Sequence, residues 1–249
     1  MKPTEHSNPA NPANPAAPKK DETLIIDADD TLWENNVFYE KATDRFLVLV
    51  EARGFGTRGV RQRLLEVERT NVSRWGYGSE SFARSLRDTL ESFGGSPATA
   101  QELSVIESLS DEVANIPIEF LPGVQKTLVR LRDRFRLILF TKGHPPEQWK
   151  KVERSGIQPL FDHVEVTTEK TTFAYTRLIQ RYRLTPTRTW MVGNSPASDV
   201  NPALAAGLNA ILIPHPHTWA LEHEEVAEHV RLTVLERFED LLEAFPGLR

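Results

Sequence analysis

Hydrophobic positions change their spacing along the chain, and the changes mark its segments. Residues 24–26 form a short apolar run, Leu-Ile-Ile, which is typical of a buried strand inside a parallel sheet. From residue 38 to residue 50 the apolar positions recur at helical spacing instead, and the pattern stops at Gly54. No strand is predicted between residues 33 and 117. Three further helical patterns occupy this stretch, at 60–72, 81–93 and 99–114.

Strands and helices alternate in the second half of the chain. Predicted strands lie at 137–140, 164–166, 190–192 and 210–213, and predicted helices at 122–134, 146–155, 173–183 and 199–206. The strand at 210–213 is expected to close the sheet, and 233–244 is predicted to be a further amphipathic helix. Strands that alternate with helices form βαβ units. The predicted fold class is therefore α/β, a Rossmann-like doubly wound parallel sheet with an inserted helical domain.

Three regions follow from these patterns. Residues 1–21 are rich in Pro, Ala and Asn and are predicted to be a disordered leader. Residues 22–34 and 118–249 are predicted to form one α/β core domain. Residues 35–117 are predicted to form a helical domain inserted after the first strand, because an all-helical block interrupts the α/β alternation there.

Composition narrows the possible environments and partners. The formal net charge of −5 over 249 residues argues against binding to a nucleic-acid backbone. The chain has no cysteine, so disulfides and thiolate chemistry are excluded, and this fits a reducing cytoplasm. No apolar run is long enough to span a membrane. We expect a cytoplasmic protein with no nucleic-acid or membrane partner, and the pattern predicts no particular oligomeric state.

Reactive side chains follow four of the predicted strands. A single Asp at a strand end is more often a helix cap or a turn residue than a functional group. The carboxyl ends of parallel strands lie at one edge of the sheet, however, so groups distant in sequence meet there. The residues concerned are Asp27 and Asp29, Thr141 and Lys142, Lys170, and Asn194 and Asp199.

This set of side chains suits a metal ion and a phosphate group. Carboxylates and an amide oxygen are ligands that Mg²⁺ takes, while Thr141 and Lys170 would hold an anionic substrate. The chain has no cysteine and no serine in a nucleophile-elbow pattern, so a carboxylate is the predicted nucleophile. Asp27 would attack, and Asp29 would serve as acid and then base.

The motifs together resemble those of the haloacid dehalogenase superfamily of phosphohydrolases. They are Asp27-x-Asp29-x-Thr31, Thr141, Lys170, and Gly193-Asn194-Ser195 followed by Asp199. The resemblance implies that Asp27 forms an aspartyl-phosphate, that Asp29 is the general acid and base, and that the inserted helices are a C1-type cap. It also implies a phosphate site at Thr141, Lys142, Gly143 and Lys170. Mg²⁺ is expected at Asp27, the Asp29 carbonyl and Asp199, with Asn194 as a further contact.

Two positions depart from the family pattern. Many members have Asp where this chain has Asn194, so Asp199 is expected to carry more of the metal binding. Many members have Asn where this chain has Lys142, which would place a second cation near the phosphate. The dehalogenases themselves lack an acid at the position of Asp29, so its presence favours a phosphate substrate over a halide.

Three other sequence features give weaker evidence of function than the strand-end residues do. The glycines of 54–59 match G-x-G-x-x-G, but the preceding run is helical, so a helix-to-helix turn is expected there instead of a dinucleotide site. His215 and His217 are expected to belong to a loop. Trp75 and Tyr77 are either aromatic anchors of a turn or residues that face the cleft and select the substrate.

Four functions compete at this point. The leading hypothesis is a Mg²⁺-dependent phosphatase that cleaves a phosphate monoester of a small-molecule metabolite. A sugar-phosphate phosphomutase would use the same fold and differ only in the acceptor. A phospho-aspartate signalling module of receiver type would also join paired Asp, Thr and Lys at strand ends, but receivers lack a helical insertion. A catalytically silent binding protein is the fourth.

Overall fold

A single parallel sheet lies at the centre of the fold. The computed structural model describes residues 20–226 and 228–245, and its six strands run in the order β3-β2-β1-β4-β5-β6. They are β1 Thr23–Ile26, β2 Arg136–Lys142, β3 His163–Thr167, β4 Thr189–Gly193, β5 Asn209–Leu212 and β6 Leu232–Val234. All neighbouring strands pair in parallel, which confirms the predicted α/β fold class.

The first strand is central because its side chains are apolar on both faces. β1 pairs with β2 on one side and with β4 on the other, and every residue in it is buried. Leu24 and Ile26 point into one apolar layer, and Ile25 points into the layer on the opposite face. A strand that is covered on both faces must end in a crevice before charged residues can follow it.

Helices cover both faces of the sheet and also form the inserted region. They are α1 Asn36–Ala52, α2 Val60–Trp75, α3 Ser79–Gly94, α4 Ala100–Ala114, α5 Val124–Arg134, α6 Pro145–Ser155, α7 Thr172–Tyr182, α8 Asn201–Ala205 and α9 Leu241–Ala244. A π-helical turn, Pro196–Val200, precedes α8 and occupies the first residues of the helix predicted at 199–206.

The inserted helices α1 to α4 have an apolar core of their own. Phe46, Leu86 and Leu109 are among its fully buried side chains. This core is separate from the two apolar layers that flank the sheet. The domain limits remain a prediction, and the predicted leader lies outside the described residues except for residues 20 and 21.

Two expectations for the end of the chain are wrong. β5 does not close the sheet, and 233–244 is not one helix, because Leu232–Val234 forms a sixth strand beside β5. An uncovered β5 would leave a row of backbone N–H and C=O groups without partners, and pairing with β6 satisfies them. Phe238, Leu241 and Phe245 then pack into the main core from a 3-10 turn and the short α9.

The glycines of 54–59 form a turn between helices, as predicted. Helix α1 covers the residues before them, so no strand precedes the motif. Gly54 and Gly59 have positive φ angles of 85° and 81°, which suit the end of α1 and the start of α2.

Candidate active site

The strand ends meet at one pocket between the sheet and the inserted helices. The space in the pocket, including its mouth that is open to solvent, is about 1040 Å³, and a small metabolite fits in it. Seven of the eight predicted site residues line it: Asp27, Asp29, Lys142, Gly143, Lys170, Asn194 and Asp199. The eighth, Thr141, is buried at the end of β2, where its hydroxyl lies 3.1 Å from Gln148 Nε2.

Lys170 connects two buried carboxylates at the base of the pocket. Its ammonium contacts Asp27 Oδ1 and lies 2.7 Å from Asp199 Oδ1. Burial raises the pKa of Asp27, and Lys170 opposes this while the negative charge of Asp199 adds to it. When both carboxylates are ionised, the three side chains together carry one net negative charge, which attracts a further cation.

The Thr31 hydroxyl lies between the second oxygen of Asp27 and the amide oxygen of Asn194. The Thr31 hydroxyl lies 3.0 Å from Asp27 Oδ2 and 3.1 Å from Asn194 Oδ1. Asn194 Nδ2 in turn donates to the Thr218 hydroxyl at 2.9 Å. Asn194 therefore connects Thr31 to the loop that follows β5, a role that the sequence did not suggest.

Asp199 reaches the strand ends because the residue that ends β4 is glycine. A Cβ atom at Gly193 would lie 2.2 Å from Asp199 Oδ2, closer than any real contact. The same oxygen accepts a hydrogen bond from the Ser195 backbone N–H at 3.0 Å. The π-helical turn and the absence of a side chain at Gly193 together position the carboxylate beside Lys170.

The carboxylate of Asp29 is held by donors on every side. Trp33 Nε1 and Gln148 Nε2 each donate at 2.8 Å, and Lys151 Nζ lies 2.8 and 2.7 Å from its two oxygens. Burial alone would raise the pKa of Asp29, but Lys151 and the hydrogen bonds hold it below its ordinary value. Lys151 also donates to Asn35 Oδ1 at 2.8 Å, one residue before α1.

Sequence reasoning missed Gln148 and Lys151. They lie three residues apart on α6, so they share one face of that helix, and both are buried. A polar pair on the buried face of an amphipathic helix is the signal that could have identified them.

Lys142 is paired with a carboxylate that the sequence did not reveal. Its ammonium contacts Glu222 and lies 2.7 Å from the Ser198 hydroxyl. The other oxygen of Glu222 accepts hydrogen bonds from Ser195 and Ser198. Lys142 also lies 4.7 Å from the centre of the Tyr77 ring. The charge of Lys142 is thus largely balanced before any phosphate arrives.

The two aromatic residues of the α2–α3 turn have different positions. Tyr77 lines the pocket and packs edge-on against Trp219, with ring centres 6.2 Å apart. Trp75 is 62% exposed and lies against Arg84. Of the two, Tyr77 faces the cleft.

Asp30 belongs to a different cluster from its two neighbours in the motif. Its carboxylate accepts hydrogen bonds from the backbone of Asn35 at 2.8 Å and of Asn36 at 3.0 Å. His215 lies 3.8 Å from Asp30 and 3.3 Å from Glu34, and within the described ranges these three form the one compact group of metal-ligand side chains. Burial lowers the pKa of His215. The group lies beside the start of α1, and none of its three residues was predicted to be a metal ligand.

Membrane insertion through a helix is not supported. Within residues 20–226 and 228–245, no helix has both the length and the apolar character needed to cross a bilayer.

Comparisons with known proteins agree with the fold. The family model described as haloacid dehalogenase-like hydrolase matches residues 22–207. Glyceraldehyde 3-phosphate phosphatase from Methanothermobacter thermautotrophicus is 26% identical over 228 residues, which cover 88% of this chain and 97% of that protein.

Solved structures are also similar to this chain. A haloacid dehalogenase-like family hydrolase from Xanthomonas campestris is 28% identical with a TM-score of 0.81, and the match covers 94% of both chains. The HAD-hydrolase YfnB from Bacillus subtilis, a magnesium-bound structure, is 18% identical with a TM-score of 0.61. That match covers 91% of this chain and 99% of YfnB, and it supports the fold alone.

Proposed function

We propose that this chain, which belongs to the haloacid dehalogenase-like hydrolase family, is a phosphatase that cleaves phosphate monoesters of small metabolites, with Asp27 as its nucleophile. The observation that carries the proposal is the position of Asp27. It is a buried carboxylate at the pocket base, bonded to Lys170 through one oxygen and to Thr31 through the other. A carboxylate can attack an anionic phosphoryl group only when cations nearby balance the charge.

The choice of phosphate esters is supported by relatives and by Asp29. The curated relative that matches 88% of the chain is named for a three-carbon phosphate, glyceraldehyde 3-phosphate. Asp29 supplies an acidic residue two positions after the nucleophile, and it lies in the same pocket. This pair is what hydrolysis through a covalent intermediate requires.

The residues at the base of the pocket fit a Mg²⁺ ion. Asp27 and Asp199 are hard oxygen donors, both buried, and Lys170 alone does not balance their charge. We propose that these two carboxylates and the Asp29 carbonyl hold the ion, with Asn194 nearby. When bound, Mg²⁺ would lower the charge repulsion between Asp27 and the substrate phosphate.

The proposed reaction has two steps. Asp27 attacks phosphorus, the bond to the ester oxygen breaks, and the leaving oxygen takes a proton from Asp29. Water then attacks the aspartyl-phosphate while Asp29 accepts a proton from it, which releases inorganic phosphate and restores Asp27. Lys170, and Thr141 at the end of β2, are the proposed phosphate contacts, with Lys142 and Gly143 beside them. The donors around Asp29 favour its ionised form, which is the form that the second step needs, whereas the first step needs the protonated form, which the same donors disfavour.

The proposal is tested with Asp27→Asn. Purified protein with Mg²⁺ is assayed on p-nitrophenyl phosphate and on a metabolite panel that includes glyceraldehyde 3-phosphate. We expect Asp27→Asn to lower kcat/KM by at least about 10³-fold, since an amide oxygen is a poor nucleophile. The exposed Asp44→Asn, whose partner is the exposed Arg61, serves as the matched control and should keep wild-type activity.

Two outcomes would contradict the proposal. One is the absence of turnover of every phosphate ester by the wild-type protein. The other is an Asp27→Asn variant as active as the control. Phosphorus NMR of the products should show inorganic phosphate, whereas a phosphate moved to another sugar hydroxyl would indicate a mutase.

A further inference from the structure

We infer that Glu68 and Ser81, which face the same pocket from α2 and α3, form a subsite for substrates whose organic part is neutral and carries hydroxyl groups. This inference rests on the proposed function and adds the substrate class to it. Both residues lie in the inserted helices, on the pocket wall contributed by those helices. Neither is part of the motifs at the strand ends.

Ser81 provides an unused hydrogen-bonding group. Its side chain is 6% exposed, and its hydroxyl has no hydrogen-bond partner among the described residues. The neighbouring Ser85 differs, because its hydroxyl donates to the Ser81 carbonyl and accepts from Asn71. A buried hydroxyl without a partner costs free energy unless a ligand supplies the bond. Ser81 therefore marks a place where a bound molecule would present a polar atom.

Glu68 adds a carboxyl group to the same wall. Its carboxyl group accepts a long hydrogen bond of 3.4 Å from Trp219 Nε1. Apolar side chains of Val72 and Phe82 line the pocket beside it. Burial raises the pKa of Glu68 to about 7, and the hydrogen bond from Trp219 opposes this only in part. A carboxyl in this setting can accept a hydrogen bond from a substrate hydroxyl, and when protonated it can also donate one.

The charges in the pocket disfavour a second anionic group on the substrate. Each lysine that lines it already has a carboxylate partner: Lys142 with Glu222, Lys151 with Asp29, and Lys170 with Asp27 and Asp199. The described part of the lining contains no arginine. A substrate carboxylate near the ionised form of Glu68 would therefore meet a like charge, and every lysine of the lining already has a carboxylate partner.

Hydroxyl recognition also explains why an unsubstituted alkyl ester should bind poorly. An alkyl group next to Ser81 would leave this buried hydroxyl without a partner. Sites built around buried polar groups discriminate strongly against analogues that lack the matching hydroxyl.

The test compares three substrates that share a three-carbon skeleton. They are sn-glycerol 3-phosphate with two hydroxyls, propyl phosphate with none, and 3-phosphoglycerate with a carboxylate. We expect the wild type to favour glycerol phosphate over each of the others by roughly 10-fold or more in kcat/KM. Ser81→Ala should lower the preference for glycerol phosphate over propyl phosphate several-fold, and the hydrogen bond to Glu68 should retain the rest. The isosteric Glu68→Gln should reduce the discrimination against 3-phosphoglycerate by several-fold.

Exposed residues of α2 provide the matched controls. Glu66 and Ser73 are exposed residues of the helix that carries Glu68. The variants Glu66→Gln and Ser73→Ala should keep the wild-type ratios of kcat/KM between the three substrates. Unchanged ratios in both pocket variants, or a wild-type preference for either comparison substrate, would overturn the inference. If that happens while p-nitrophenyl phosphate is still cleaved in an Asp27-dependent manner, the proposed function stands and only the subsite is wrong. Failure to cleave any ester overturns both.

Discussion

Gly193 shows how one residue without a side chain can determine the geometry of the site. Asp199 Oδ2 occupies the space that a Cβ atom at this position would need. The carboxylate cannot move aside freely, because Lys170 and the Ser195 N–H hold its two oxygens. An alanine here must therefore displace the proposed metal ligand.

We expect Gly193→Ala to weaken Mg²⁺ binding by at least about 10-fold, a loss similar to that caused by removing an outer-shell partner of a metal site. The measurement is the Mg²⁺ concentration that gives half-maximal phosphatase activity. Gly56→Ala is the matched control, since a Cβ atom there meets nothing within 4 Å. Equal Mg²⁺ dependence in the two variants would show that Asp199 does not bind the ion.

At this scale the sequence predicts reactive residues better than their partners. Asp27, Lys170 and Asp199 could be placed together because each lies at a strand end, and strand ends converge in a parallel sheet. Lys151 and Glu222 could not, because they reach the pocket from a helix and a 3-10 turn by tertiary packing. Lys142 was predicted to be a second cation near the phosphate, and nothing near it in the sequence identifies its partner Glu222.

At the scale of elements, polar contacts join the ends of two inserted helices. Thr99 and Glu102 form a capping box at the start of α4. Arg53, just after α1, donates to both oxygens of Glu102 at 2.6 and 2.9 Å. One ion pair thus connects the end of the first inserted helix to the start of the last.

This contact makes the stability of the inserted helices depend on pH. Arg53 and the Thr99 N–H lower the pKa of Glu102 to about 2 from an ordinary value of 4.5. A lowered pKa means that the contribution is full above pH 4.5 and is lost as the pH falls toward 2. We expect Glu102→Gln to lower the free energy of unfolding at pH 7 by about 1 kcal/mol.

Chemical denaturation of both proteins at several pH values checks this expectation. The difference between wild type and variant should shrink as the pH falls below 4.5. Glu112→Gln is the control, since Glu112 lies on the same helix and its pair with Arg45 is exposed on both sides. A difference between wild type and Glu102→Gln that stays constant down to pH 2 would rule out the ion pair as its source.

Helices and strands with regularly spaced apolar residues could be predicted. A strand whose conformation depends on pairing with a neighbouring strand could not. The four inserted helices and the first five strands lie close to their predicted positions, because their apolar spacing is regular. β6 was missed because Leu232–Val234 is short and precedes residues with helical spacing. Its conformation depends on the free edge of β5, which local sequence does not describe.

At the scale of the whole molecule, the pocket requires both parts of the chain. Glu147 of α6 accepts hydrogen bonds from the Ser79 N–H at 3.1 Å and the Ser79 hydroxyl at 2.8 Å, which caps α3 from the core. A Cβ atom at Gly78 would lie 2.8 Å from His144 Cβ, so the backbones approach closely there. The pocket is therefore assembled between the inserted helices and the core.

The melting temperature of the whole protein should rise when the proposed metal ion binds. A ligand that binds only the folded state stabilises it, by about 2.7 kcal/mol at 100 times its Kd. For a chain of this size that corresponds to a rise in Tm of about 5–10 °C. We expect saturating Mg²⁺ to raise the Tm of the wild type by this amount and EDTA to reverse it.

The variant that tests this prediction is Asp199→Asn. It removes one carboxylate from the proposed ligand set and should abolish most of the Mg²⁺-dependent rise in Tm. Asp44→Asn changes an exposed carboxylate far from the pocket lining and should retain the full rise. A full rise in both variants would mean that the ion binds elsewhere.

The contacts of Lys170 with both Asp27 and Asp199 affect how the proposed metal ion and phosphate bind. Its ammonium is shared between Asp27 and Asp199, so a phosphate dianion must compete with two carboxylates for it. A cation bound to those carboxylates would relieve that competition, and Lys170 would then be available to the phosphate. Coupling between two ligands is reciprocal, so each would raise the affinity of the other. The lysine therefore favours cooperative occupancy, in which ion and substrate are held together and neither is held well alone.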